Sequence, residues 1–181
     1  MRELSLHILD LIENSVRAGV TVVSLLIEED HAKDVLKICV EDNGCGLQVS
    51  PDVATHPFYT TKNGKRVGLG LSLFQAAAQR AGGGLTLGKS ALGGLAVTVT
   101  MRLSHVDRTP MGNLAGTLSS VACTNPGIDL RCRLRVDGRE HAVSAFEVAK
   151  ELNFGEPQGL AVARRISEEI KGAIVSLKVS P

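Results

Sequence analysis

The sequence has no marked excess of charge, no long apolar run and no closely spaced pair of cysteines. Its 20 basic and 19 acidic residues nearly cancel, which argues against a nucleic-acid footprint or a polybasic membrane surface. No stretch of about 18 apolar residues occurs, so no membrane-spanning helix is expected. The opening Met1-Arg2-Glu3-Leu4-Ser5-Leu6-His7 turns polar too often for a secretory leader. Cys39, Cys45, Cys123 and Cys132 lack the paired spacing of a zinc or iron–sulfur site. Reduced thiols in a cytoplasmic protein are the expectation. At 181 residues the chain suffices for one generous domain or two small ones. No internal repeat or low-complexity tract is visible.

What is present is ordered by hydrophobic period. Residues 3–18 predict a helix, with Leu4, Ile8, Leu11, Ile12 and Val16 on an apolar face. Glu3, His7, Asp10, Asn14 and Arg17 form a polar stripe opposite, within a band about 80° wide. Strands are expected over 20–28 and 35–41, with a polar connection between them. Residues 47–67 show no sustained period and contain Pro51, Pro57 and Gly64, as a lid-like loop would. A helix over 69–80 and strands over 85–88 and 95–103 follow. This order implies helices on one face of a largely antiparallel sheet, a two-layer α/β sandwich.

Beyond the polar run Ser104–Pro110 the pattern changes. A helix over 113–124, a hairpin over 129–137 and 140–146 around Asp137-Gly138, a helix over 159–171 and a strand over 174–179 are expected. These last residues can extend the first domain or fold by themselves; the favoured expectation is two domains, residues 1–104 and a separate small α+β module over 110–181. The module carries no functional motif; it would bind a partner, occlude the lid or form a dimer surface.

Three polar groups carry the chemistry. The carboxamide of Asn14 can ligate a divalent cation, and Asp10, one turn earlier, can hold or deprotonate a water. Magnesium suits such a site because it takes oxygen ligands and keeps several waters. The same stripe would equally suit an ordinary solvent-facing helix surface. Asp42-Asn43-Gly44-Cys45-Gly46 follows a strand directly. Asp42 can accept a hydrogen bond from an exocyclic amine, while Gly44 and Gly46 let the backbone turn beneath a flat base; a plain glycine turn is the alternative. Gly68-Leu69-Gly70-Leu71 opens a helix whose free N–H groups would favour phosphate oxygens. Lys62, Lys65 and Arg66 lie just upstream as further cations. The run is not a phosphate loop, since no Gly-Lys-Ser or Gly-Lys-Thr ends it.

In this order the residues resemble the ATP-binding domain shared by histidine kinases, DNA gyrase and other type II topoisomerases, heat-shock chaperone ATPases and mismatch-repair ATPases. Asp10…Asn14 matches its first motif, Asp42-x-Gly44-x-Gly46 its second, and Gly68-x-Gly70-Leu71 its glycine motif. Pro57-Phe58-Tyr59-Thr60-Thr61-Lys62 is similar to the histidine-kinase branch. The likeness spans residues 3–103. It implies ATP beneath the lid, Mg²⁺ on Asn14, the adenine amine on Asp42, and the phosphates on Gly68, Leu69, Gly70 and Leu71.

Two departures shape the functional expectation. Asp10 stands where hydrolysing relatives place a glutamate, so its carboxylate is one methylene short. The first helix is expected to begin near residue 3, so no phosphoacceptor hairpin is expected ahead of it, and His7 is expected as an active-site rim or orienting residue or as a surface one. The expected function is a cytoplasmic ATP·Mg²⁺-binding regulator that transfers the γ-phosphoryl group to a separate partner protein or slowly hydrolyses ATP. A non-catalytic nucleotide-sensing module that binds a partner is the alternative. No nucleic acid and no membrane are expected, and a homodimer stays open.

Overall fold

Alternation of apolar and polar residues builds the sheet. In the computed structural model, which describes residues 3–47, 69–152 and 159–181, Val22–Asp30 (β1) and Val35–Asp42 (β2) form an antiparallel hairpin. Val23, Leu25 and Ile27 of β1 and Leu36, Ile38 and Val40 of β2 are buried. Such period-two burial belongs to a sheet covered on one side. β2 also pairs antiparallel with Leu95–Arg102 (β4), and β4 pairs with Gly84–Lys89 (β3). On its other edge β1 pairs parallel with Asp129–Val136 (β5), which forms a hairpin with Arg139–Ser144 (β6). The strand order is β3-β4-β2-β1-β5-β6, and every pairing except β1–β5 is antiparallel.

Helices lie on the buried face, as expected. Leu4–Arg17 (α1) packs against Leu69–Arg80 (α2) and Leu114–Thr124 (α3). α3 packs in turn on Gly159–Leu177 (α5). The opposite face carries a polar ladder. Lys37, Glu28, Arg135 and Glu140 stand in register across four strands, with Arg135 bridging Glu28 (3.1 Å) and Glu140 (2.9 Å). Opposite charges side by side suit a solvated sheet face.

The expected separate module over 110–181 is corrected by this topology. β5 pairs along β1 from Val22 to Glu29, so the later strands extend the first sheet. Leu114, Leu118, Ile166 and Ile170 belong to the same apolar core as Leu4 and Ile8. The polar run that reads as a boundary is also engaged. α1 has no side-chain cap at its N-terminus; Leu4 N donates to Pro110 O and Ser5 N to Met111 O, both at 2.9 Å. The free N–H groups at a helix start need acceptors, and here the chain after β4 supplies them. A further tie comes from Glu29, only 1% exposed. Its carboxylate accepts from Ser180 N (3.0 and 3.1 Å) and Ser180 Oγ (3.0 Å), as a buried charge requires.

Two local expectations also change. The strand expected over 174–179 is the end of α5 as far as Leu177. Buried Val162, Ile166, Ile170, Ala173 and Leu177 recur every three or four residues. That spacing outweighs the local β preference of Ile174-Val175. The strand expected over 140–146 stops at Ser144, where Ala145–Glu151 (α4) begins. Ser144 Oγ accepts from Glu147 N at 3.3 Å, and Ser-x-x-Glu is a helix-start signature. The lid expected over 47–67 lies almost wholly outside the described residues.

One sheet and one core imply one cooperative unit. The whole chain should unfold in urea in a single transition, with coincident midpoints by far-ultraviolet circular dichroism and by methyl proton NMR. A fragment ending at residue 104 should lose that cooperativity, because β1 keeps a bare edge and α1 loses the carbonyls that cap it.

Candidate functional site

Asp42 ends β2 on the covered face of the sheet and is 6% exposed. Its Oδ1 accepts from Gly44 N and Leu95 N, each at 3.0 Å. Its Oδ2 accepts from Ser15 Oγ at 2.7 Å. The next residue clips β2 to the start of β1: Asn43 Oδ1 accepts from Thr21 N and Val22 N at 3.0 Å, and Asn43 Nδ2 donates to Thr21 Oγ1 at 2.8 Å. The β3–β4 turn closes on the same point, with Gly94 N donating to Asp42 O at 3.0 Å. A Cβ on Gly94 would fall among Asp42 Oδ1, Asp42 O and Gly44 N. Only glycine fits there.

Above Asp42 lies a cavity of about 130 Å³. Leu11, Val40, Leu71, Leu95 and Val97 give it apolar walls, while Asn14, Ser15, Asp42, Gly44 and Gly46 supply polar atoms and close-approaching backbone. Five of the residues singled out from sequence therefore meet: Asn14, Asp42, Gly44, Gly46 and Leu71. Asn14 Oδ1, the oxygen suited to a cation, accepts from Arg17 Nη2 at 2.6 Å. Arg17 also pairs with Glu13 at 3.5 Å on the exposed side of α1.

Asp10 and Gly70 meet beside the cavity. A Cβ on Gly70 would collide with the Asp10 carboxylate, so glycine allows the first turn of α2 to approach α1. The positive end of a helix favours a carboxylate in that position. Leu69 opens α2, whereas Gly68 and Lys62 lie outside the described residues.

His7 departs from expectation. It is 3% exposed, not a rim or surface residue, and its ring stacks on Phe74 with centroids 4.7 Å apart and planes 11° from parallel. Burial pushes its pKa down to about 4, against the opposing charge of Asp10. Its Nδ1 has no hydrogen-bond partner among the described residues. The polar stripe of α1 thus turns partly towards α2; Arg17 of the stripe faces solvent, and so do Leu6 and Glu13, which lie outside it.

Ser15 and Gly94 are site residues that the motifs do not contain. Ser15 had a readable signal, since it continues the apolar face of α1 four residues after Leu11. A buried hydroxyl there must find a partner. Gly94 had none beyond its place in a turn.

The donors present fit an amino-bearing base and a hard cation. A buried carboxylate beneath apolar walls offers an acceptor to a flat ring with an N–H group. Asn14 offers one oxygen. Among the described residues no group of three His, Cys, Asp or Glu side chains could hold a metal by itself, so a cation here would draw most of its ligands from phosphates and water.

A sequence profile of the family described as "Histidine kinase-, DNA gyrase B-, and HSP90-like ATPase" matches residues 2–105, more than half of the chain. The chain belongs to that family. This ATPase domain therefore comprises α1, β1, β2, α2, β3 and β4. Among solved structures, the N-terminal domain of a DNA repair protein is 12% identical, covering 80% of this chain and 53% of its own, with a TM-score of 0.49. The ATP-binding domain of PrrB from Mycobacterium tuberculosis is 28% identical over 54% of this chain and 64% of its own, with a TM-score of 0.41. The Aquifex aeolicus MutL ATPase domain complexed with ADP is 15% identical over 85% and 70%, with a TM-score of 0.43. The chain thus spans less than two thirds of the first two. No curated protein sequence matches it.

Two measurements probe the site. His7 stays neutral in the fold down to about pH 4, while the unfolded chain protonates it near 6.5. More protons bind the unfolded state in that window, so stability should be flat above about pH 6.5 and fall towards pH 4. The loss should be on the order of 3 kcal/mol, and His7→Phe, which retains a stacked ring, should remove this part of the slope in urea melts at pH 7, 5.5 and 4.5. Gly94→Ala should shift the β3–β4 turn off Asp42 and lower stability by about 1–3 kcal/mol, with loss of nucleotide binding in the same preparation.

Proposed function

We propose that this domain binds ATP with Mg²⁺ and serves as a cytoplasmic regulator, passing the γ-phosphoryl group to a separate partner protein or slowly hydrolysing ATP. One observation carries the reading. α1 presents Asp10, Asn14 and Ser15 in succession, spanning about 7 Å of helix axis, between a buried carboxylate acceptor at one end and the glycine start of α2 at the other.

In this reading Asp42 accepts the adenine amine while Leu11, Val40 and Leu71 exclude water from the ring. Gly44 and Gly46 bring the backbone beneath it, and the start of α2 at Leu69 and Gly70 faces the phosphates; the family resemblance assigns Gly68 and Lys62 to the same phosphates. Asn14 would hold the cation through Oδ1 in place of the Arg17 guanidinium. When bound, Mg²⁺ would neutralise phosphate charge. Asp10 orients a water, or a partner's hydroxyl, and accepts its proton as that oxygen bonds to the γ-phosphorus and the bond from the γ-phosphorus to the bridging oxygen breaks, ADP leaving with that oxygen. Its reach is one methylene shorter than that of glutamate, and about 1 Å of misplacement can cost on the order of a hundredfold in rate. Slow turnover follows.

The sensing alternative draws on one feature. Asp10 packs on Gly70 and is not among the residues that line the cavity, as a module that binds nucleotide without chemistry would permit.

Calorimetric titration with ATP and Mg²⁺, followed by incubation with γ-labelled ATP and the proteins encoded alongside, tests both readings. Asp42→Asn should weaken ATP binding at least tenfold, and Asn14→Ala should abolish the Mg²⁺-dependent part of the affinity. Asp10→Asn should retain binding within about twofold while losing at least a hundredfold in transfer or phosphate release. A folded protein that gives no ATP titration would overturn the nucleotide reading. Binding without transfer or release would retire catalysis and leave the sensor.

A further inference from the structure

We infer that Ser15 is a positioning residue that sets selectivity for a purine bearing a 6-amino group; this rests on the proposal that the cavity takes the adenine of ATP. An ionised carboxylate only accepts hydrogen bonds, through about four lone-pair directions. Among the described residues, donors to Asp42 use three. Gly44 N and Leu95 N fill both directions on Oδ1, and Ser15 Oγ, 8% exposed with its residue, fills one on Oδ2 at 2.7 Å. One acceptor direction is left, on Oδ2, the oxygen that Ser15 holds.

The two backbone donors anchor Oδ1 but leave the carboxylate plane free to turn about that anchor. The Ser15 hydroxyl removes this freedom. It sits on the helix turn that also carries Asn14, so the plane of Asp42 is set by the same element that holds the cation-binding oxygen. A helical serine commonly spends its hydroxyl on the backbone carbonyl one turn back; Ser15 instead donates across 27 positions of sequence to β2. The consequence is a single fixed acceptor aimed at one N–H group. A purine with hydrogen at position 6 cannot use it and leaves a buried lone pair unpaired, the condition under which polar sites discriminate strongly. With alanine at 15, Oδ2 regains a second open direction, water can occupy it, and the amino group loses its advantage.

The test compares ATP with a purine ribonucleoside triphosphate lacking the 6-amino group, titrated with Mg²⁺ into the full chain and into Ser15→Ala. ATP affinity should fall roughly tenfold in the variant, while that of the 6-hydrogen analogue should stay within about twofold. Ser15→Cys, close in volume but a weak donor, should behave like the alanine variant, and so keeps the test decisive if Ser15→Ala misfolds. In an Asp42→Asn background Ser15→Ala should cause no further loss. Equal losses for both nucleotides would mean that Ser15 merely supports the fold, and would overturn the inference. An unchanged preference in both Ser15 variants, with the unmodified protein still binding ATP, would overturn it while leaving the nucleotide reading intact. No ATP binding by the unmodified protein would remove both.

Discussion

A carboxylate as deeply buried as Asp42 must accept hydrogen bonds or give up its charge, and the donors it finds come from three parts of the chain. Ser15 belongs to α1, Gly44 to the turn after β2, and Leu95 to the start of β4. Satisfying one charge therefore fixes the helix, the strand end and the neighbouring strand against one another. The cavity is what remains between them, and its apolar walls are core residues that already face inward. The site is built from the same alternation that builds the sheet.

The second constraint is how α1 is held. Its N-terminal N–H groups are capped by carbonyls of residues 110 and 111, and its flank packs on α3. Asp10, Asn14 and Ser15 thus owe their positions to residues beyond the family's matched region as well as within it. On the far side of the sheet, Arg135 and its two glutamates need no covering layer. Helices lie on one side because only that side carries an apolar stripe.

Much of this was legible in the residues. The α1 face, both early strands, α2 and the Asp137-Gly138 hairpin follow from local period and turn residues, while the grouping of Asn14 with Asp42, Gly44 and Gly46 comes from the family resemblance. What was not legible depends on distance along the chain. Nothing near Asp129–Val136 says that it pairs with β1, and a polar run such as Ser104–Pro110 reads alike whether it joins two bodies or caps a helix. Ile174-Val175 reads as strand until its neighbours at 166, 170 and 173 are seen to be buried together. His7 reads as polar surface because a sequence shows its heteroatoms and not the Phe74 ring that covers it. Lys62 and Gly68 remain expectations of sequence.

The parallel pairing of β1 with β5 also has a temporal side. The two strands lie about a hundred residues apart, and at ordinary elongation rates roughly 5–20 s separate their synthesis. Through that interval the β1–β2 hairpin can form, but the outer edge of β1 has no native partner. A new chain on the ribosome therefore carries the nucleotide half before the strand that seals it, and long-range pairing of this kind slows folding. Assembly of the sheet is completed from its C-terminal side.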